Sequence, residues 1–333
     1  MKLVFITQRV DEDDPALGAT VPKLRALAAR VDELVVLALH AVPTPLPANV
    51  RIESFGAGGS ALTGMRLAAR LAQELRRRPV AVIAHMSPVY AIVAAPLTRP
   101  LRAPLLLWFT HWRDSRSLRM AERLATCVVS VDERSFPFRS RKLVAVGHGI
   151  EVGEAVVRRR DDGVVRLLAL GRTSPAKGLA TIVEAAEGID GVALEIRGPS
   201  LTDEERRHRA DLVARGVRVE EAVPRSQIGW VYAEADALVS NMRAGALDKV
   251  VYEAAAAGLP VLVASEGFAP LTDGIVPPLR FVQDDAASLA ERIRGLVDAG
   301  PTGRAAVGDE LRRRVVHDHS VDHWAAAIVA ALR

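Results

Sequence analysis

Leu167–Gly178 reads LLALGRTSPAKG. An apolar run of this length, bounded by a turn at Gly171, reads as a buried strand. Arg172 and Lys177 follow in a loop with Pro175 and Gly178, and Leu179–Glu187 then takes helical spacing. Strand, loop and helix in that order make half of a β–α–β unit. Two fixed cations at a strand's carboxyl end suit a diphosphate. Arginine grips oxygens through a planar fork, and lysine adds a point charge. A solvent-exposed turn with ordinary cations is the plain alternative, and this stretch alone does not choose between them.

The alternation recurs on both sides. In the C-terminal half, strands are expected at Val165–Leu170, Ala193–Arg197, Val217–Val219, Ala237–Ser240, Pro260–Ala264 and Leu279–Val282. Helices are expected at Leu179–Glu187, Asp203–Arg215, Arg225–Glu234, Lys249–Ala257 and Ala286–Ala299, and two more, Thr302–Val315 and Val321–Leu332, close the chain. In the N-terminal half, the strands are Lys2–Thr7, Glu33–Leu39, Arg51–Phe55, Val80–Ala84, Pro104–Phe109, Cys127–Val131 and Lys142–Val146, with helices including Val21–Ala29, Thr63–Arg77 and Leu118–Leu124. The charged, aperiodic segment Glu151–Gly163 reads as a linker. The expectation is an α/β chain of two doubly wound, Rossmann-like domains facing a cleft. It has an N-terminal domain at 1–150, a linker at 151–163 and a C-terminal domain at 164–315. A last helix within 316–333 packs back towards the N-terminal domain. Ligands of such sheets sit beyond the carboxyl ends of the strands.

A second stretch, Asn241–Pro260, reads NMRAGALDKVVYEAAAAGLP. A glycine-containing loop feeds an alanine-rich helix that Asp248 is placed to cap and that Gly258 and Pro260 end. Free backbone N–H groups at such a helix start favour an anion. Glu253, about one and a half turns in, could accept two ribose hydroxyls, while its neighbours Val250 and Val251 look buried. The plain alternatives are an ordinary N-cap for Asp248 and a surface position for Glu253.

Composition narrows the class. With 333 residues, two domains are the default at roughly 150 residues each. Half the residues are hydrophobic and a quarter charged, which is ordinary for a globular protein. Cys127 is the single cysteine, so no internal disulfide is possible, which leans towards a reducing compartment. MKLVFITQRV is not read as a signal peptide, because Gln8-Arg9 interrupts a short apolar core. No apolar run long enough to span a membrane occurs. The net charge is only +4, and arginine clusters at Arg76-Arg77-Arg78, Arg158-Arg159-Arg160 and Arg312-Arg313-Arg314. These read as solvated helix ends and linkers, with an anion-attracting surface as the sharper alternative. Nucleic acid is not an expected partner, since aromatic residues make up 4% and none interleave with the basic runs.

Together, Gly171-Arg172, Lys177-Gly178 and Glu253–Val261 (EAAAAGLPV) resemble the retaining family-4 glycosyltransferases, which have the GT-B fold. The intervening Trp230–Ser240 (WVYAEADALVS) is similar as well. The resemblance is strong over about Val165–Ala264 and loose elsewhere. It implies transfer of a sugar from a nucleoside diphosphate sugar to an acceptor hydroxyl, with retention and with neither cofactor nor essential metal. Arg172 and Lys177 would bind the donor diphosphate and stabilise the leaving group, and Glu253 would hold the ribose. Backbone groups of Asp248, Lys249 and Val250 would meet the donor sugar and phosphate. Gly198-Pro199 and Val223-Pro224, with Arg225, would line the base and ribose pocket. The family's glutamate eight residues before Glu253 is replaced by Gly245, and its phenylalanine-glycine pair by Leu247-Asp248. The acidic group at the donor sugar is then Asp248 or absent.

In the N-terminal half, Gly18 follows an acidic loop, Asp11-Glu12-Asp13-Asp14, and would approach the donor phosphates. His111, in WFTHWRDS, resembles the family's histidine that touches donor sugar and acceptor; packing between Trp108 and Trp112 is the alternative. His148, in VGHGIE, reads as a hinge. Three formal matches are set aside. Gly56–Ala61 lacks the acidic residue of a dinucleotide site. Asp11-Glu12-Asp13 sits too early in the chain for a metal-binding pair. His317, His319 and His323 read as the surface around a helix capped by Ser320. The partners expected are a nucleoside diphosphate sugar and a sugar or lipid-linked acceptor. The expected location is cytoplasmic, with peripheral contact at the inner membrane surface if the acceptor is lipid-linked. Two rivals are kept: a nucleotide-sugar 2-epimerase of the same fold, and a non-catalytic sugar-nucleotide-binding protein.

Overall fold

A computed structural model of the chain describes residues 1–14, 17–56, 58–76, 80–111, 113–155, 162–243 and 247–332. The chain divides into two units, Met1–Gly149 with Asp318–Arg333, and Ile150–His317.

Unit 1 is built from β1 (Lys2–Val10), α1 (Thr20–Ala28), β2 (Glu33–Ala41), β3 (Val50–Ser54), α2 (Ser60–Glu74), β4 (Val80–His85), α3 (Pro88–Thr98), β5 (Leu105–Trp108), α4 (Arg116–Leu124), β6 (Cys127–Ser130) and β7 (Leu143–Ala145). Its seven strands are ordered β3-β2-β1-β4-β5-β6-β7, and every pairing is parallel. Val80–His85 is buried at every position, as a parallel strand covered on both faces must be. The core joins Val4, Ile6, Val35, Leu37, Leu71, Val82 and Leu107. Helix α3, PVYAIVAAPLT, was not anticipated, because it is apolar on nearly every side and shows no polar stripe to mark the helical period.

Unit 2 holds β8 (Val165–Leu170), α5 (Leu179–Glu187), β9 (Val192–Arg197), α6 (Asp203–Ala214), β10 (Arg218–Glu220), α7 (Ile228–Glu234), β11 (Ala237–Ser240), α8 (Lys249–Ala256), β12 (Val261–Val263), α9 (Ala269–Thr272), α10 (Ala286–Asp298) and most of α11 (Gly300–His319); the boundary after His317 falls inside α11. The last helix, α12 (Val321–Ala331), belongs to unit 1. Five parallel strands are ordered β10-β9-β8-β11-β12. The expected strand Leu279–Val282 is instead a single bridge, Val263 to Arg280. Pro277 and Pro278 precede it, and proline cannot donate to a ladder. The stretch read as a linker belongs to unit 2 at its start: Glu151 pairs with Arg225 at 3.4 Å, and Val152 packs on the core.

In both sheets, strand order reverses beside the first strand, between β1 and β4 and between β8 and β11. Loops diverge there, and ligands of such folds bind beyond those strand ends.

Gly245, Trp112, Ala57, Arg77-Arg78, Arg158-Arg159-Arg160 and residues 156–161 of the expected linker lie outside the described residues. In the last arginine run, Arg314 donates to the carbonyl oxygens of Leu271 (3.0 Å) and Asp273 (2.8 Å), and Arg312 to those of Ala256 and Gly153. These arginines tie backbone together, which corrects the reading of a solvated helix end.

Candidate functional site

The β8–β11 switch point brings the two quoted stretches together. A depression there is lined by Gly171, Arg172, Lys177, Ser240, Asn241 and Asp248, with the ends of β8 and β11 as its floor. Glycine is required at 171. Its φ is +129°, a backbone conformation that residues with a Cβ rarely adopt, and Lys177 Nζ packs against it. Asn241, buried, donates to the Gly178 carbonyl (3.2 Å) and to Asp284 Oδ1 (3.0 Å), which fixes the loop after Lys177.

Both candidate cations already hold a carboxylate. Arg172 pairs with Glu205 and Lys177 with Asp248. Glu205 also accepts the Leu201 N–H at 2.6 Å and the Thr202 N–H at 3.3 Å, and Thr202 Oγ1 accepts the Glu205 N–H at 3.2 Å. This reciprocal capping box anchors the carboxylate at the start of α6. Burial raises the Glu205 pKa, but the Leu201 N–H and the Arg172 guanidinium outweigh it and hold the group below its ordinary value. Asp248 occupies the N-cap position of α8, yet its side chain makes no capping bond. That corrects the expectation of a plain cap: Lys177 takes the carboxylate instead.

Glu253 is no surface residue. Its side chain is 16% exposed, and it meets Lys249 at 2.6 Å and Arg225 at 3.1 Å, both through Oε1. Burial pushes its pKa up, and the two cations more than reverse that, so the carboxylate stays ionised. Tyr232 lies in the same electrostatic neighbourhood. Its hydroxyl is buried without a hydrogen-bond partner, and burial, with the Glu253 and Asp248 charges, holds it well above its ordinary pKa. Ser240 Oγ, at the end of β11, is likewise buried and unpartnered.

Gly198 and Pro199 follow β9. A Cβ at Gly198 would fall 2.0 Å from the Gly171 carbonyl oxygen, so this glycine keeps two strand ends in contact. Thr173 donates to the Pro199 carbonyl at 3.1 Å. Val223 and Val250 are partly buried against the core of unit 2, and Pro224 leads into the short turn that carries Arg225. Unit 2 thus brings Arg172, Lys177 and Asp248 to one depression, and Glu253, Lys249 and Arg225 into one ion-pair cluster. Missed in the sequence were Glu205, Asn241, Tyr232 and Ser240. Only Glu205 carried a local signal, the Thr202-x-x-Glu205 capping pattern, and that signal speaks of a helix start.

Gly18 and His111 belong to unit 1. Gly18 packs against its own acidic loop: a Cβ would lie 2.5 Å from the Glu12 carbonyl oxygen. The acidic side chains of that loop are held by arginine, Glu12 by Arg25 at 2.9 Å and Asp14 by Arg9 at 3.3 Å. His111 follows β5 and is exposed. Its Nδ1 accepts the Arg113 N–H at 2.9 Å, so the neutral ring carries its proton on Nε2. His148 is buried, and Ser320 caps α12 by accepting the His323 N–H at 3.2 Å.

Residues 164–299 match the family described as Glycosyl transferases group 1. None of the curated proteins compared matches the chain. Among solved structures, HepE of Anabaena, crystallised with UDP and glucose, is similar at 16% identity, with a TM-score of 0.75 and coverage of 100% of this chain and 99% of that one. Sucrose-phosphate synthase of Thermosynechococcus elongatus is similar at 16% identity and a TM-score of 0.77, covering 98% and 97%. A glycosyltransferase of Rickettsia africae is similar at 12% identity and a TM-score of 0.75, covering 99% and 97%. At such identities the likeness establishes the fold, the GT-B arrangement that the resemblance implied.

Proposed function

We propose that this chain, which carries a Glycosyl transferases group 1 domain over residues 164–299, moves a glycosyl group from a nucleoside diphosphate sugar to an acceptor hydroxyl, with retention and without an essential metal. The observation that carries this reading is Arg172 and Lys177 on one depression at the β8–β11 switch point, each already holding a carboxylate. A site that pairs two internal anions has the charge and geometry to take the two phosphates of a donor. HepE, of the same fold, is known in complex with UDP-glucose.

In this reading the bond from the anomeric carbon to the β-phosphate oxygen breaks, and the acceptor oxygen bonds to that carbon from the same face. The acceptor's proton leaves with the diphosphate. Arg172 and Lys177 stabilise the charge that develops on the leaving group, a preorganised electrostatic contribution. Glu253 receives the ribose hydroxyls beside Gly198, Pro199, Val223 and Pro224. Backbone N–H groups of Lys249 and Val250 face the donor's phosphate and sugar. In unit 1, Gly18 approaches the phosphates, and His111 donates from Nε2 to a sugar hydroxyl. The acceptor is a sugar or a lipid-linked sugar; in the second case the chain works at the cytoplasmic face of a membrane. Among the described residues no helix is long and apolar enough to cross one.

A thermal-shift screen of uridine, guanosine and adenosine diphosphate sugars, followed by turnover on hydroxyl acceptors, tests the proposal. Stabilisation by one donor and release of its diphosphate only with acceptor present are expected. Conversion of the donor's sugar without acceptor would place the chain among epimerases. Binding without turnover on any acceptor would leave a sugar-nucleotide-binding protein.

A further inference from the structure

The two cation–carboxylate pairs of the depression are of different kinds. Glu205 is fixed: its side chain is 3% exposed and two backbone N–H groups hold it besides Arg172, whose own side chain is 51% exposed. Glu205 can therefore orient the guanidinium while other N–H groups of the fork face solvent. Asp248 has no such anchor. It stands at the start of α8 with no capping bond, and among the described residues its carboxylate pairs with Lys177.

We propose that Asp248 is an exchangeable counter-ion for Lys177, displaced by the donor's diphosphate, and that this exchange sets donor affinity; the inference rests on the nucleotide-sugar reading above. Two observations support it. The pair is partly buried, at 19% and 14% side-chain exposure, so its attraction is stronger than that of a surface pair and a competing phosphate must overcome it. Ser240 lines the same depression, and its Oγ is buried without a partner. The internal ion pair leaves that hydroxyl unsatisfied, whereas a phosphate oxygen in the depression would accept from it.

The test is calorimetry of the full chain with inorganic pyrophosphate and with UDP, at one pH and salt concentration. Asp248→Asn keeps the shape and removes the charge. It should bind pyrophosphate roughly tenfold tighter than wild type, about the worth of one partly screened charge-assisted contact. With Lys177→Met in the background, the same substitution should leave affinity unchanged, since no lysine remains to compete for. Asp248→Gly replaces the asparagine variant if that one fails to fold, with the same expectation. If wild type binds the ligands and removal of the carboxylate brings no gain, the exchange is overturned and the nucleotide reading stands. If neither wild type nor the variants bind pyrophosphate or UDP, the nucleotide reading falls and the exchange with it.

Discussion

The two sheets reverse at equivalent places and fill those places with opposite chemistry. At the β1–β4 switch point of unit 1, Thr7 Oγ1 and His85 Nδ1 are hydrogen-bonded at 2.9 Å, and both residues are buried. The Lys23 ammonium lies nearby, 5.2 Å from the ring of Trp108 and 5.5 Å from that of Trp324. The two indoles meet edge to face at 5.5 Å. At the β8–β11 switch point of unit 2 the depression is floored by the ends of β8 and β11 and also lined by Arg172, Lys177 and Asp248. Topology offers a place at each reversal. The side chains decide whether that place is filled with aromatic rings or lined with charge. In unit 1 a buried cation is satisfied by aromatic faces, which are worth about 2 kcal/mol or more when desolvated. In unit 2 the cations are satisfied by carboxylates, Arg172 by Glu205 and Lys177 by Asp248.

Acid should separate the two regions most sharply. Burial, with the Lys23 charge, holds the His85 pKa down at about 3, and burial holds His319 at about 4; both belong to unit 1. Each ring is neutral when folded and takes a proton when unfolded. Its stabilisation is therefore complete above pH ~6.5 and is lost as pH falls through the folded value. At pH 4 the loss is roughly 3 kcal/mol per histidine. In unit 2, Glu253 has a lowered pKa and begins to cost stability only below about 4.5. Hydrogen exchange followed by peptide should show β4 and β5 losing protection between pH 6 and 4 while β8 and β11 keep theirs. Equal loss in both sheets would break the comparison.

Trp324→Ala comes next in size. The indole is fully buried on Trp108 beside Lys23, and its removal should cost unit 1 about 3–5 kcal/mol. Denaturant unfolding should show this loss with pyrophosphate affinity unchanged. A drop in affinity as large as the drop in stability would mean that the packed switch point also serves the anion. Arg172→Ala or Lys177→Ala should do the reverse: nucleoside diphosphate affinity falls roughly 10- to 100-fold, the worth of one charge-assisted contact, while the melting temperature holds. Unchanged calorimetric affinity in both variants would remove the support for an anion site in unit 2. The smallest effect belongs to His111→Ala, which should lower turnover about tenfold through one lost hydrogen bond and leave diphosphate affinity as it was. A fall in diphosphate affinity instead would make His111 a phosphate ligand and erase the distinction between the units.

Much of this architecture was legible locally. LLALGRTSPAKG carries its own strand, turn and helix start, and the structure places β8 at Val165–Leu170 and α5 at Leu179–Glu187 as the periodicity indicates. EAAAAGLP likewise reads as a helix and its stop, and α8 ends at Ala256. Where the reading failed, the local signal was weak. Helix α3 lacks a polar face, and Leu279–Val282 has a strand's apolar composition but follows two prolines. For the site, residue types were visible and partners were not. Asp248 looked like a cap because a capping residue is recognised by the helix that follows it. The partner it takes instead stands 71 positions away.

The sequence by itself determined the alternation of strands and helices, the cations at the end of β8 and the helix that bears Glu253, because periodicity, turn residues and caps act over a few neighbouring positions. Only the tertiary structure decided that Arg172 answers to Glu205, that Lys177 answers to Asp248, and that Lys23 meets two tryptophans in one unit while the other lines its switch point with charge. Those outcomes depend on which strand ends lie side by side, and parallel strands acquire their neighbours only when the chain between them has crossed over and packed.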